Sequence, residues 1–143
     1  MNEHEECGML IKQINDQLEK DANNALRSEN LTLIQASVLL ELEQRDHQTA
    51  SMKEIEKFLG VAQPTAVGII RRMELKKLVE AFQDPNDKRV KLVHMTKTGR
   101  EKAQYGKLHM KEAAEKMMKP LSDQEKAQFS NMLLRVRDSL KGN

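Results

Sequence analysis

The sequence has 143 residues, of which 24 are lysine or arginine and 22 are aspartate or glutamate, giving a formal charge of +2. This length predicts a single domain with its own core and little room for a second module. The single cysteine excludes an internal disulfide, and no apolar run approaches the ~18 residues that a membrane-spanning helix needs.

The N-terminal part predicts a long amphipathic helix. Over residues 9–26 the apolar side chains recur at spacings of three and four and form one stripe: Leu10, Ile14, Leu18, Ala22, Ala25 and Leu26. The preceding segment, MNEHEECG, is acidic where a secretory signal would be basic and then apolar. We therefore expect a cytoplasmic protein.

Two shorter helices follow, each opened by a capping box. LTLIQASVLLELEQ predicts a helix over residues 33–45, with Thr32 and Gln35 at the capping spacing, and SMKEIEKFLG repeats this spacing through Ser51 and Glu54. Gly60 provides a left-handed stop. The apolar spacing predicts that the following side chains face inward: Ile34, Val38, Leu39 and Leu42, then Ile55, Phe58 and Leu59.

The segment VAQPTAVGIIRRMELKKL predicts the second helix of a helix-turn-helix. Pro64 is tolerated only in a first helical turn, so the helix begins near Gln63. The predicted buried face consists of Ala66, Ile69, Ile70 and Met73. The side chains left facing outward are Gln63, Thr65, Val67, Gly68, Arg71, Arg72 and Lys76. Two short helices joined by a glycine-containing turn, the second with a polar and basic outer face, are typical of DNA-binding proteins.

A charged hairpin and two more helices complete the chain. Residues 79–83 and 90–95 are the only segments that we predict as strands, and the Pro-Asn-Asp turn between them favours antiparallel pairing. Thr96 then provides an N-cap for a helix over residues 97–118. LSDQE opens a last helix whose apolar side is Phe129, Leu133, Val136 and Leu140.

The basic charge is concentrated around this hairpin and in the segment after it. Residues 1–30 contain three basic and seven acidic side chains, whereas residues 63–91 contain seven and four, and residues 92–120 contain seven and three. Such a distribution suits a polyanionic partner, although ordinary solvated helix faces would give the same counts.

Three segments together resemble the MarR family of bacterial winged-helix transcriptional regulators. They are LTLIQASVLLEL, LGVAQPTAVGIIRRMELKKLV and DPNDKRVKLVHMTKTG. In the last of these, a D-x-R … L-T-x-x-G spacing typical of the family is matched by Asp87, Arg89, Met95, Thr96 and Gly99. The opening of the last helix, LSDQEKAQF, is also similar to the family, so the resemblance covers essentially the whole chain.

The resemblance implies a mainly α fold: a winged helix-turn-helix domain with a two-stranded wing, and long N- and C-terminal helices that form a dimerisation domain. We assign residues 31–96 to the DNA-binding lobe, and residues 1–28 and 97–143 to dimerisation. The implied function is that of a homodimeric repressor on a pseudo-palindromic operator in double-stranded DNA. The recognition helix would enter the major groove and the wing the minor groove, and a small effector or an oxidant would relieve repression.

The chain departs from the family pattern at three positions. Ala62 stands where a serine commonly caps the recognition helix, which removes a side-chain cap of about 1 kcal/mol. Lys77 replaces the glycine that commonly follows this helix, at a point where a left-handed residue is usual. Val67 replaces a small polar residue; it offers no hydrogen bond to a base but can pack against a thymine methyl group.

The resemblance also predicts individual roles on DNA. Gln63 and Thr65 are candidates for base edges, Arg71 and Arg72 for guanine or phosphate, and Arg89 for a narrow minor groove. Lys88 would contact phosphate, and Asp87 would support the wing by pairing with Arg89 or holding its turn. The full set of predicted DNA-binding residues is Gln63, Thr65, Val67, Gly68, Arg71, Arg72, Lys76, Lys88 and Arg89.

Other chemistries have weaker support. Cys7 is a candidate redox sensor, but neighbouring glutamates disfavour a thiolate and the chain has one tyrosine, Tyr105. The four histidines show no metal-ligand spacing, and no nucleophile with a base, carboxylate pair or phosphate loop stands out. We therefore expect no cofactor and no enzymatic activity. The alternative to a DNA-binding regulator is a winged helix that serves as a protein-interaction module.

Overall fold

A computed structural model describes residues 1–141 of the chain. The six α-helices are α1 (Glu3–Leu26), α2 (Leu33–Gln44), α3 (Met52–Leu59), α4 (Gln63–Leu75), α5 (Lys97–Met118) and α6 (Asp123–Lys141). The three strands are β1 (Thr49–Ser51), β2 (Val79–Asp84) and β3 (Asp87–Met95), and single 3-10 turns lie at Arg27–Glu29 and Asp46–Gln48. The mainly α winged-helix fold that the sequence predicts is confirmed.

Helix α1 begins six residues earlier than predicted. The Asn2 side chain accepts the Glu5 N–H at 2.9 Å and the Glu5 carboxylate accepts the Asn2 N–H at 2.9 Å, which together make a capping box. Acidic residues in the first turn suit the positive end of the helix dipole. Cys7 therefore lies on an ordered helical turn, where it is exposed.

The core is built mainly by α2, α3, α4 and the base of the wing. Its largest fully buried side chains are Leu39, Leu42, Ile55, Ile70, Met73, Met95, Val38, Val79 and Val93. The predicted capping boxes of α2 and α3 are present, and Gly60 ends α3 with φ of +66°. The prediction that Ile34 and Phe58 face the core is wrong, because each of these side chains is 43 % exposed.

The wing belongs to a three-stranded antiparallel sheet in the order β1-β3-β2. The predicted hairpin of β2 and β3 is confirmed, and both of its strands extend closer to the turn than expected. Strand β1, which pairs Ala50 with Val93 on the other edge of β3, is an addition to the prediction. Three residues are too short to show an alternating pattern, so sequence periodicity does not detect this strand.

The start of α5 is tied to the first part of the wing by Thr96. The single proton of its hydroxyl is shared between the Lys77 carbonyl at 2.7 Å and the Leu78 carbonyl at 3.0 Å, and the oxygen accepts the Gly99 N–H at 3.0 Å. The predicted N-cap is therefore confirmed, and the same hydroxyl also satisfies backbone carbonyls at the entry to β2.

Polar contacts then attach the first half of α5 to the segment 29–48, which contains α2. Arg100 donates to the Gln48 side chain at 3.1 Å, Lys102 pairs with Glu29 at 3.0 Å, and Lys107 pairs with Glu43. Between these cations Ala103 and Gly106 are buried. Contacts group Met1–Met110 into one compact unit.

The second compact unit begins at Lys111 and contains the end of α5 and α6. Ser122 and Glu125 form the predicted capping box at the start of α6. Helix α6 has no buried residue, and Leu133, Val136 and Leu140 of its predicted apolar side are 40 %, 53 % and 69 % exposed. None of the described helices combines the length and apolarity needed to cross a membrane.

Candidate nucleic-acid interface

The N-terminal end of α4 is open at the surface and lacks a side-chain cap. Ala62 has the extended backbone of an N-cap, and its carbonyl accepts the N–H groups of Thr65 and Ala66, both at 3.1 Å. Gln63, Pro64 and Thr65 are exposed in the first turn. Pro64 has no N–H and the Thr65 N–H already donates to the Ala62 carbonyl, so the first turn offers an anion little beyond the Gln63 N–H.

The buried and exposed sides of α4 follow the predicted spacing. Ala66, Ile69, Ile70 and Met73 are buried, and Arg71 and Arg72 are exposed. Val67 is half-buried and packs against the core, so it faces outward less than predicted. A β-carbon on Gly68 would lie 3.6 Å from Nη2 of Arg72, which shows that this guanidinium lies back along the helix surface over Gly68.

Arg89 is the most prominent cation of the wing. Its side chain is 91 % exposed. Nε donates to Oδ1 of Asp87 at 3.1 Å and Nη2 donates to Oδ2 at 3.3 Å. The Arg89 N–H also donates to Oδ1 of Asp87, at 3.0 Å. These hydrogen bonds from the Arg89 side chain and backbone hold the pKa of Asp87 below its usual value.

The strand pairing is irregular beside the turn of the wing. Register passes from the pair Gln83 and Lys91 directly to the pair Asp84 and Asp87, so residues 88–90 bulge out of the ladder. The Asn86 N–H donates to the Asp84 side chain at 2.9 Å and steadies the two-residue turn. Lys88 and Arg89 therefore lie in an irregular part of β3 next to the turn, and both are exposed.

Lys76 points away from the outer face of α4 on which the sequence placed it. It is half-buried, and its ammonium donates to the Asn30 carbonyl at 2.9 Å and to Oε1 of Gln35 at 2.8 Å. Burial lowers the pKa of Lys76. Lys77 has φ of +63°, the left-handed conformation expected at this position.

Comparison with known proteins identifies the family. The MarR family model matches residues 29–90, from the 3-10 turn before α2 into strand β3 of the wing. The chain is 31% identical over 121 residues to the HTH-type transcriptional regulator YxaD of Bacillus subtilis, covering 85% of this chain and 79% of YxaD. The chain belongs to the MarR family of transcriptional regulators.

Two further relatives of this MarR-family chain carry more specific descriptions. The transcriptional repressor NicR of Pseudomonas putida is 39% identical over 69 residues, which are 48% of this chain and 42% of NicR. The structure of a mutant MarR from E. coli, complexed with operator DNA, superposes with a TM-score of 0.81 at 27% identity. That match covers 90% of this chain and 91% of the other.

Beside α4, this MarR-family chain has an open groove of about 790 Å³. The groove is lined by residues of α1, α2, α4 and the connection between α1 and α2. Its apolar lining includes Leu33, Ile34, Ile69 and Leu75. Exposure of Ile34, which the helical spacing had assigned to the core, is thus explained by its place in this groove.

Metal binding and redox sensing were the other candidate chemistries for residues 1–141. No group of three or more histidine, cysteine, aspartate or glutamate side chains is placed to hold a metal ion there. Cys7 is exposed on α1, and Tyr105 is 49 % exposed on α5.

The sequence did not indicate that Asn30 and Gln35 hold Lys76. The capping spacing identified Gln35 as part of the α2 capping box, but it gave no sign that the same side chain also binds Lys76.

Proposed function

We propose that this MarR-family regulator is a homodimer that binds a pseudo-palindromic operator and represses transcription, with α4 in the major groove and the wing in the minor groove. The observation that carries the proposal is the exposure of Arg71 and Arg72 on α4 together with that of Arg89 beside the turn of the wing. A helix with a basic outer face and a cationic hairpin fit the two grooves of B-DNA.

The residues divide into those that read bases and those that position the protein. Gln63 and Thr65 occupy the exposed first turn of α4, where short polar side chains reach base edges. Arg71 and Arg72 would contact guanine or phosphate, and Gly68 allows close approach of the helix. Lys88 would contact phosphate, while Asp87 fixes the direction of the Arg89 guanidinium through the fork of hydrogen bonds.

Dimerisation is supported by apolar surface left open on the terminal helices. On α1, Leu10 and Ile14 are 49 % and 43 % exposed, although the helix places them in one stripe. On α6, Leu133, Val136 and Leu140 are likewise exposed. Such stripes are costly in water, so a second copy that covers them would gain the hydrophobic stabilisation that one chain lacks. Residues 1–28 and 97–143 would provide this interface.

Repression is supported by the likeness to the repressor NicR, and relief by an effector is supported by the groove. Its volume is within the range of small-molecule sites, and Arg72 and Leu75 of α4 contribute to its wall. A molecule bound there would contact the proposed DNA-reading helix directly. Ile34→Trp would fill the groove, and we expect it to retain operator binding while losing any effector response.

The test is binding to labelled duplexes that tile the DNA upstream of the protein's own coding sequence, measured by fluorescence anisotropy with excess competitor DNA. We expect one fragment to remain bound by a dimer, whose mass is measured by light scattering. Failure to bind any duplex at low salt would instead favour the protein-interaction module. Transcription from the bound promoter, with and without the protein, then separates repression from activation.

A further inference from the structure

The Lys76 side chain makes its hydrogen bonds within the protein instead of extending from the exposed face of α4. A half-buried ammonium loses hydration, and its two hydrogen-bond acceptors, the Asn30 carbonyl and the Gln35 amide oxygen, are both neutral. The two short bonds, at 2.9 Å and 2.8 Å, replace part of the lost water. This geometry holds the side chain against the lobe and away from the exposed face of α4.

Both acceptors are themselves fixed. Gln35 is only 5 % exposed, and the oxygen that accepts from Lys76 also accepts the Thr32 N–H of the α2 capping box at 3.2 Å. Asn30 adopts the left-handed conformation with φ of +56°, and its N–H donates to the Arg27 carbonyl at 3.0 Å. Lys76 therefore connects α4 to the ordered start of α2 and to the turn before it.

Lys76 lies at the end of α4 opposite to the turn that is proposed to contact DNA. It directly follows Leu75, the last residue of α4, while Gln63 opens the other end of the helix. A helix of 13 residues at about 1.5 Å per residue is roughly 20 Å long. The buried side chains of α4 attach its middle to the core, and the Lys76 hydrogen bonds add a restraint at its C-terminal end. A small change of angle at that end would move the first turn of the helix, which has no side-chain cap.

We propose that Lys76, Gln35 and Asn30 form a polar clamp that sets the orientation of α4, and that Lys76 is a positioning residue for DNA binding rather than a phosphate contact. The effect of the clamp on DNA binding rests on the proposed function. Its structural part, the restraint of the end of α4, is measurable without DNA.

The first experiment compares Lys76→Met with Lys88→Met, two substitutions that each remove one ammonium and retain most of the apolar stem. For Lys76→Met we expect about tenfold weaker operator binding with an unchanged dependence of affinity on salt. For Lys88→Met we expect a salt slope shallower by about one unit, as for loss of a phosphate contact. Wild-type affinity in Lys76→Met, or a slope reduced as in Lys88→Met, would overturn the positioning role.

The second experiment examines the partner of Lys76. Gln35→Glu keeps an oxygen that accepts from both Thr32 and Lys76, so we expect it to retain operator affinity. Gln35→Met should weaken binding, and the double variant with Lys76→Met should be no weaker than the worse single variant. Additive losses would show that the two side chains act independently and would overturn the clamp.

Hydrogen exchange provides the readout that needs no DNA. We expect faster exchange of the backbone N–H groups of residues 73–76 in Lys76→Met, with little change in α3 or in the wing. Unchanged exchange in the last turn of α4 would reject the clamp. If the wild-type protein binds no duplex, the proposed function fails, while the exchange data still decide whether the clamp restrains α4.

Discussion

Gly99 approaches Leu78 so closely that a β-carbon on residue 99 would lie 2.2 Å from the Leu78 carbonyl oxygen. The same carbonyl accepts the Thr96 N–H at 3.1 Å and the Thr96 hydroxyl at 3.0 Å. Glycine at residue 99 thus lets the first turn of α5 sit directly on the backbone that leads into β2. The T-x-x-G part of the family spacing has a structural cause: the threonine caps the helix and the glycine makes room for the shared carbonyl.

Replacing Gly99 by alanine should destabilise the fold. Backbone must move to accept the methyl group, so we expect a loss of about 2–4 kcal/mol in the free energy of unfolding. Urea titration followed by circular dichroism measures this change. The control is Gly8→Ala, because a β-carbon on Gly8 would meet nothing within 4 Å. Gly8→Ala should be neutral or stabilising by about 0.5–1 kcal/mol, since alanine favours the helix. A Gly99→Ala protein as stable as wild type would contradict the close approach.

The cap missing from α4 provides a second prediction. Ala62 already has N-cap backbone geometry, so a serine oxygen at this position can accept the Thr65 N–H, which otherwise donates to the Ala62 carbonyl at 3.1 Å. Ala62→Ser should stabilise the protein by about 1 kcal/mol in the same unfolding measurement. Ala62→Val, which changes the side chain without adding an acceptor, is the matched control and should give no gain. A serine variant that unfolds like the valine variant would show that the Ala62 carbonyl already satisfies the Thr65 N–H.

The start of α3 should contribute to acid sensitivity. The N–H of Ser51 donates to Glu54 Oε1 at 3.0 Å, and Arg45 pairs with the other carboxylate oxygen. The hydrogen bond from the Ser51 backbone is the main cause that lowers the pKa of Glu54 from 4.5. A carboxylate with a lowered folded-state pKa stabilises the fold fully above its unfolded pKa. That contribution is lost as the pH falls through the lower folded-state pKa.

Comparison of wild type with Glu54→Gln at several pH values tests this linkage. The difference in their unfolding free energies should be largest above about pH 5 and should shrink as the pH falls below 4.5. A difference that is constant with pH would mean that the carboxylate charge contributes nothing. Asp16→Asn breaks the exposed ion pair of Asp16 with Lys12 on α1 and shows how much such a surface pair contributes by comparison.

The sequence predicted most of the elements that hold the candidate interface but not all of their contacts. Pro64 located the start of α4, its apolar spacing located the buried face, and Lys77 was correctly expected in a left-handed position. Lys76 was misplaced because helical periodicity gives the direction of a side chain from its own helix only. The carbonyl and amide that hold it lie 46 and 41 residues earlier, beyond the reach of a local pattern.

Arg89 should contribute to binding at every DNA sequence. Arg89→Ala removes the exposed guanidinium of the wing, so we expect weaker binding to operator and to unrelated duplex alike, with a salt slope shallower by about one unit. Arg89→Lys keeps the charge but loses the two-nitrogen fork to Asp87; it should keep the slope while losing part of the preference for A·T-rich flanks. Wild-type affinity in Arg89→Ala would show that the wing does not reach DNA.

Gln63 should instead affect specificity at one base position. Its side chain is exposed in the first turn of α4, where an amide can form paired hydrogen bonds with adenine in the major groove. Gln63→Ala should cost about 1–3 kcal/mol on the preferred operator and much less on operators substituted at the contacted base pair. Competition binding across a set of singly substituted operators measures this pattern, with Gln44→Ala at the exposed end of α2 as control. A uniform loss across the whole set would assign Gln63 to the phosphate backbone, and base reading would then fall to Thr65 and the two arginines of α4.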